Sequence, residues 1–119
     1  MVWLTGPWQA PVCTAGRVWG GLHGTYSFVM TNMLPTDPTT PTIFFFTGRS
    51  TIDVKGGDEV FGTDTGSIDV VAGGFASLVT FTGGTGDHAG ATGQIRLRGT
   101  FDPEAGTTSG DYRGAIRVP

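Results

Sequence analysis

The residues best suited to acid–base chemistry in this sequence are an adjacent acidic pair and two tyrosines. Asp58 and Glu59 stand together at the expected start of a strand, and Tyr26 and Tyr112 lie in two other alternating stretches. A carboxyl enclosed by apolar side chains binds its proton more tightly and can act as a general acid or base. We therefore predict catalytic roles for Glu59, Tyr26 and Tyr112. The alternative is that the acidic pair is solvated in a hairpin.

Other reactive groups point less clearly to a site. His88 follows Asp87 in a Gly-rich segment, where an imidazole can shuttle protons near neutral pH, although an exposed loop histidine usually has no such role. The two histidines and the single cysteine, Cys13, show none of the spacings that build a zinc site. We expect no metal and no cofactor, and the fold cannot rely on an intrachain disulfide.

Charge and length exclude several classes of protein. The chain has 119 residues, the length of one domain, and we treat residues 1–119 as a single domain. Seven Lys and Arg against ten Asp and Glu give a net charge of −3, so we expect neither a nucleic-acid nor a membrane partner. No apolar run approaches the roughly 18 residues of a membrane helix. Residues 1–8 lack the features of a secretory signal, so either the protein is cytoplasmic, which we favour, or a leader has been removed.

The elements that must position these groups are β-strands. Gly and Pro recur too often for long helices, whereas Thr, Val, Ile and Phe suit a pleated surface. Alternation of apolar and polar residues, with turns such as Lys55–Asp58 and Ala72–Gly74 between them, separates the strands. Strands are predicted near 16–20, 22–31, 42–54, 59–70, 75–82, 91–101 and 110–118. In the fourth, Phe61 and Ile68 fall on opposite faces, which predicts a bulge near Gly62–Gly66.

Short connections between successive strands predict an all-β fold, an antiparallel up-and-down barrel of seven or eight strands spanning 22–118. Closure would remove the exposed edges of the sheet. Residues 1–21, rich in Trp and Pro, are predicted to be an arm or a plug at one end of the barrel.

Alternation also predicts which side chains face the interior. In a barrel of about eight strands these side chains either fill the interior or leave room for one small ligand. The predicted ligand-binding residues are Tyr26, Phe28, Met30, Phe44, Phe46, Phe81, Leu97 and Tyr112. They predict an apolar small molecule as the partner, with a fully packed interior as the alternative.

The Gly-rich segment 81–93 superficially suggests phosphate binding. Such sites need a helix N-terminus inside a βαβ unit, and here a strand pattern, 94–98, follows the glycines. We therefore interpret the segment as a tight crossover between two long strands, with glycines supplying positive φ.

This segment also carries a family resemblance. The runs 82–86 and 89–93, continuing into Gly99–Asp102, resemble a signature of small bacterial barrels of the allene oxide cyclase-like class, to which dirigent proteins are similar. The resemblance covers about 42–118. It implies an eight-stranded antiparallel barrel with an apolar interior, assembled as dimers or trimers. It also implies cyclase or isomerase chemistry in some members and no assigned activity in others.

Two functions fit these observations. In the first, the barrel binds an apolar small molecule and promotes its cyclisation or isomerisation without a cofactor, by holding a folded conformer and excluding water. In the second, the barrel is a packed, non-catalytic module that acts through homo-oligomers or other protein contacts. Its oligomer surface would then comprise 1–21 with Val29, Ile43 and Phe45.

Overall fold

β-Branched residues and glycines dominate the chain, and the residues that the structure describes fold almost wholly as strands. The computed structural model describes residues 2–11, 15–18, 23–37, 39, 42–102 and 107–119. The strands are β1 Val2–Pro11, β2 Ala15–Val18, β3 Gly24–Pro35, β4 Ile43–Val54, β5 Glu59–Asp69, β6 Gly74–Gly84, β7 Thr92–Asp102 and β8 Thr107–Arg117. The helical content of these ranges is one 3₁₀ turn, Gly86–His88.

Strands β3 to β8 form a continuous antiparallel meander in which each strand pairs with the next. This arrangement confirms the predicted all-β class and the up-and-down order of the strands. The β4–β5 ladder runs from Ile43 opposite Asp69 to Asp53 opposite Glu59 without a register shift. Because side chains alternate along each strand, this register decides which residues share a face.

Two further strands come from the beginning of the chain. Strand β1 pairs with β8 from Val2 opposite Ile116 to Pro11 opposite Thr107. Strand β2 pairs with Gly24–Ser27 of β3, and its ladder to β1 has only two residue pairs.

Residues 1–21 are predicted to form an arm or a plug, and in the structure Val2–Pro11 of this segment is a strand. Pro7 and Pro11 obscured it, because proline removes a ladder donor and argues against a strand interior. Residues 12–14 and 19–22, including Cys13 and Trp19, lie outside the described residues.

The glycine turns form as the sequence predicted. Gly56 and Gly57 have φ of 109° and 99° in the β4–β5 hairpin, and Gly73 has φ of 88° in the next turn. In that second turn the Asp69 Oδ1 atom accepts the backbone N–H groups of Val71 and Ala72, at 2.9 and 2.8 Å.

The sequence predicts a bulge in the strand 59–70, which corresponds to β5, but the bulge lies in the neighbouring strand β6. The β5–β6 register shifts between Phe61 and Gly62, and the extra residue is Thr82 of β6. A second irregularity, between Met30 and Asn32, places the extra residue Thr31 in β3. Strand β5 itself keeps a regular alternation, with Val60 and Asp64 both on the buried face.

One face of the sheet is apolar and buried, as alternation predicts. The buried hydrophobic residues are Phe46, Ile52, Val60, Val79, Phe81, Ala91, Ile95, Leu97, Tyr112 and Ile116. Glycines alternate with these residues along the strands, and neighbouring side chains occupy the space that the glycines leave. A Cβ atom at Gly48 would overlap the Phe28 ring and lie 2.6 Å from the Val29 carbonyl oxygen.

This close contact gives a first prediction. Gly48→Ala should lower the free energy of unfolding by about 1–3 kcal/mol, because the Phe28 ring cannot stay in place beside an added methyl group. Urea denaturation measures the change.

Gly74→Ala is the matched control, since a Cβ atom there meets nothing within 4 Å. It should change the unfolding free energy by less than about 0.5 kcal/mol. Equal losses in the two variants would contradict the packing of Phe28 over Gly48.

Candidate functional site

One carboxyl group lies on the buried face among the residues whose side chains the structure describes. It belongs to Asp64 in the middle of β5 and is 4% exposed. The regular β4–β5 register places Asp64 opposite Gly48, and β6 places Val79 on its other side. The Phe28 ring occupies the space at Gly48 and Val79 is aliphatic, so the carboxyl is deprived of water, which favours its neutral form.

Two serines partly compensate this burial. The Ser50 hydroxyl donates to Asp64 Oδ2 at 2.8 Å, and the Ser77 hydroxyl reaches the same oxygen at 3.3 Å. They lie on β4 and β6, diagonally across from Asp64 on the same face. The other carboxyl oxygen, Oδ1, is buried and has no hydrogen-bond partner among the described residues.

The environment shifts the titration of two groups on this face. Burial raises the pKa of Asp64 from 3.8 to about 6, and the hydrogen bonds from Ser50 and Ser77 act in the opposite direction. Burial raises the pKa of Tyr26 to about 12, with the negative charge of Asp64 adding to the effect. Asp64 therefore exchanges its proton close to neutral pH, whereas Tyr26 keeps its own.

Two aromatic side chains pack over glycines beside Asp64 on the same face. The rings of Phe28 and Phe46 meet edge to face, with centroids 5.8 Å apart and planes at 78°. The Phe46 ring lies over Gly66, where a Cβ atom would come within 2.7 Å of it. The result is one polar group in a mostly apolar setting, the composition of a small-molecule site.

The predicted ligand-binding residues all fall on this face, and all but one are buried or half-buried. Phe46, Phe81, Leu97 and Tyr112 are buried, and Tyr26, Phe28 and Phe44 are half-buried. Met30 pairs with Gly48 and so shares this face, but it is 41% exposed.

Met30, which the sequence predicts in the interior, is therefore not enclosed by the described strands. Among the described residues, β2 pairs with β3 only as far as Ser27, so Met30 has a strand on one side alone. The sequence shows alternation along β3 but not how far its neighbour extends.

Two of the three predicted catalytic residues, Tyr26 and Tyr112, belong to one buried cluster, and Glu59 does not. Tyr26 shares the buried face with Asp64, and Tyr112 is 1% exposed on β8. Glu59 precedes the buried Val60 and alternates onto the opposite face. Its backbone N–H donates to the Thr85 hydroxyl at 2.9 Å, and its carbonyl accepts the Thr85 N–H at 2.8 Å. These contacts join the Glu59 backbone to Thr85. The carboxyl on the face with the aromatic residues is that of Asp64.

The other half of the acidic pair holds the Gly-rich loop. Asp58 Oδ2 accepts the backbone N–H of Asp87 at 3.0 Å and lies 3.4 Å from His88 Nδ1, and the side chains of Asp58 and His88 are 28% exposed. Gly86 and Gly90 in this loop have φ of 57° and 75°, so the predicted positive-φ crossover is confirmed. Asp58 and His88 therefore fasten the loop to the β4–β5 hairpin.

Sequence reasoning did not select Asp64, although a signal was present. The even-numbered residues of β5, which include Val60 and Ile68, form one consistent set to which Asp64 belongs. The aromatic Phe61 on the other face made the alternation of this strand look irregular.

Comparison with protein-family models, with curated proteins and with solved structures gave no match. Within the described ranges, no three His, Cys, Asp or Glu side chains are grouped as a metal site would require. The same ranges contain no helix of the length and apolar character that a membrane-crossing helix needs.

The raised pKa of Asp64 makes a second prediction. Below about pH 4 the carboxyl is neutral in both folded and unfolded chains, and above about pH 6 only the folded chain bears the cost of burying the charge. This group should thus lower the unfolding free energy by roughly 2–3 kcal/mol as pH rises from 4 to 7. In Asp64→Asn this pH-dependent loss of unfolding free energy should disappear. Urea denaturation at pH 4 and pH 7 measures it.

The comparison uses the difference between wild type and variant at each pH. The free energy of unfolding of Asp64→Asn should increase relative to that of the wild type as pH rises. Asp53→Asn, at an exposed position on β4, is the control for loss of a solvated carboxylate. Parallel curves for wild type and Asp64→Asn would contradict the buried, proton-binding state of Asp64.

Proposed function

We propose that the sheet closes through β1 and β2 into an eight-stranded barrel whose interior binds an apolar small molecule. The pairing of β1 with β8 and of β2 with β1 and β3 supports closure, because it leads from β8 back to β3. The short β1–β2 ladder would be the seam of the barrel. Aromatic residues on the buried face supply an apolar wall for the guest.

The proposed chemistry is proton transfer by Asp64, which promotes cyclisation or isomerisation of the bound molecule without a cofactor. A carboxyl with a pKa of about 6 is divided between its acid and base forms near neutral pH, so it can both remove and return a proton. Tyr26 keeps its proton near neutral pH, so it is the donor in the pair formed by Asp64 and Tyr26. This proposal agrees with the expectation from the allene oxide cyclase-like resemblance.

The observation that carries the proposal is the buried Oδ1 atom of Asp64, which has no hydrogen-bond partner among the described residues. A buried acceptor without a partner costs about 1–3 kcal/mol. A guest with one hydrogen-bond donor, or with an acidic C–H group, would use this atom. The proposed substrate is thus mainly apolar, with a single polar or proton-donating group near its centre.

Binding can be tested with an uncharged apolar fluorophore, N-phenylnaphthylamine. We expect saturable binding of one molecule per chain, and we expect Phe46→Trp to weaken it about tenfold or more because the larger ring narrows the interior. Phe45→Trp is the matched control at the neighbouring position, which is 59% exposed and should leave binding unchanged. Equal effects of the two substitutions, or no saturable binding, would contradict an interior site.

The role of Asp64 is tested by the pH dependence of the same binding. An apolar guest removes water from the carboxyl, so wild-type affinity should rise as pH falls from about 8 to about 5. Asp64→Asn should bind the dye with an affinity that does not change over this range. A pH dependence that persists in Asp64→Asn would assign it to another group. Native mass spectrometry of the purified protein would identify any guest retained from the cell.

The exposed edge of β3 favours assembly as a second function. Beyond Ser27 the described residues of β3 have a strand on one side only, and the edge contains Val29 and Leu34, each 58% exposed. An apolar strand edge of this length is a template for pairing with another chain. The nearby Ile43 and Phe45 are also exposed, at 41% and 59%, in agreement with the oligomer surface predicted from sequence.

Assembly is tested by placing a charge on this edge. Val29→Lys should convert an oligomer to a monomer in light scattering, since a lysine at an edge opposes pairing. Thr25→Lys, at an exposed position in the part of β3 covered by β2, is the control. A wild-type chain that is monomeric at high micromolar concentration, or a Val29→Lys variant that remains associated, would contradict this function.

A further inference from the structure

The outer face of β7 and β8 concentrates positive charge in a chain whose net charge is negative. Four of the seven Lys and Arg residues lie there, all of them exposed: Arg96, Arg98, Arg113 and Arg117. The overall charge of −3 conceals this face, because the acidic residues lie elsewhere on the chain or, like Asp111, are outnumbered there.

Two of these arginines stand directly opposite each other. Arg96 of β7 pairs with Arg113 of β8 in the ladder. Residues so paired have Cβ atoms about 5 Å apart, and two like charges in this position destabilise a sheet. Neither guanidinium forms an ion pair among the described side chains, and the same is true of Arg117. Arg98 stands opposite the acidic Asp111 in the ladder, and no ion pair joins these two described side chains.

Three of these arginines, Arg96, Arg113 and Arg117, border a groove of about 630 Å³ on the outer face. Between Arg113 and Arg117 lies Ala115, whose small side chain leaves a depression. Its cross-strand neighbour Gln94 is held toward β6 by a 3.2 Å hydrogen bond from Nε2 to the Thr80 hydroxyl. The depression therefore has guanidinium groups around it and no acidic side chain in its lining.

An apolar surface adjoins the charged one. Leu78 of β6 lies opposite Arg96 and lines the same groove. Leu78 and Arg96 also border a second concavity, of about 560 Å³, that extends to the exposed Phe45. A volume of this size accommodates a small organic molecule, not only an inorganic ion.

From this arrangement we propose that the groove at Arg96, Arg113 and Arg117 binds the phosphate group of a small phosphate monoester, whose apolar part lies on Leu78. A phosphate dianion has enough charge for more than one guanidinium, and each guanidinium can donate two parallel hydrogen bonds to its oxygens. Binding would replace the repulsion between Arg96 and Arg113 with shared attraction to one anion. This site lies on the opposite face from Asp64 and does not depend on the function proposed for that residue.

Titration of the ¹⁵N-labelled full chain with phenyl phosphate tests the proposal by NMR. We expect saturable amide shifts concentrated at Arg96, Arg113 and Ala115 at millimolar ligand. Inorganic phosphate and benzoate are the comparison ligands. Both should bind several-fold more weakly, since the first lacks the ring and the second lacks the second negative charge.

Arg113→Gln should weaken phenyl phosphate binding by about tenfold or more. It should also raise the urea midpoint of unfolding, because it removes a repulsive cross-strand pair. Arg49→Gln is the matched control, at an exposed arginine on the outer side of β4, and should leave affinity unchanged.

Several results would overturn the proposal. These are shifts that do not saturate or are spread evenly over the chain, or an Arg113→Gln variant with wild-type affinity. Equal affinity for inorganic phosphate and phenyl phosphate would overturn the assignment of an ester with an apolar part. Loss of self-association in Arg113→Gln without loss of phosphate binding would mark the groove as an interface between copies of the chain.

Discussion

The unbroken register between β4 and β5 is the constraint on which the buried face depends. It fixes Gly48 opposite Asp64 and Ser50 on the diagonal, so the Ser50 hydroxyl reaches the carboxyl and the Phe28 ring occupies the space at Gly48. Because side chains alternate, a slip of one residue would turn Asp64 to solvent and bring Thr63 or Thr65 inward. The Gly56–Gly57 turn at the end of this hairpin secures the register, since both residues have the positive φ that a tight connection requires.

Alternation and turn chemistry made most of the fold predictable from sequence. Phe46, Phe81, Leu97 and Tyr112 are buried where period-two patterning placed them. What the sequence does not contain is the extent of each neighbouring strand. Alternation therefore places Met30 in the interior, whereas the described pairs of β2 with β3 end at Ser27. Strand β1 was missed because its prolines contradict local strand preference, while its pairing with β8 is a contact between the two ends of the chain.

The candidate site was predictable only in part. The sequence indicated an apolar face with tyrosines, and Tyr26 is near enough for the charge of Asp64 to raise its pKa. It pointed to Glu59 as the carboxyl because an adjacent acidic pair is conspicuous, whereas a lone Asp64 in a strand is not. Burial of that carboxyl depends on Phe28, Ser50 and Val79, which come from three different strands. A titration shift produced by several strands together leaves no local mark in the sequence.

Within the described residues, β3 beyond Ser27 pairs with a strand on one side only, and this edge has a consequence for the size of any assembly. If two copies pair antiparallel through this edge, the operation that relates them is a two-fold rotation, and each copy contributes the same segment. Such an interface is isologous, so it uses both edges at once and leaves none for a third subunit. Growth stops at the dimer and cannot continue into a fibre, which distinguishes this geometry from the cyclic contacts that a trimer would need.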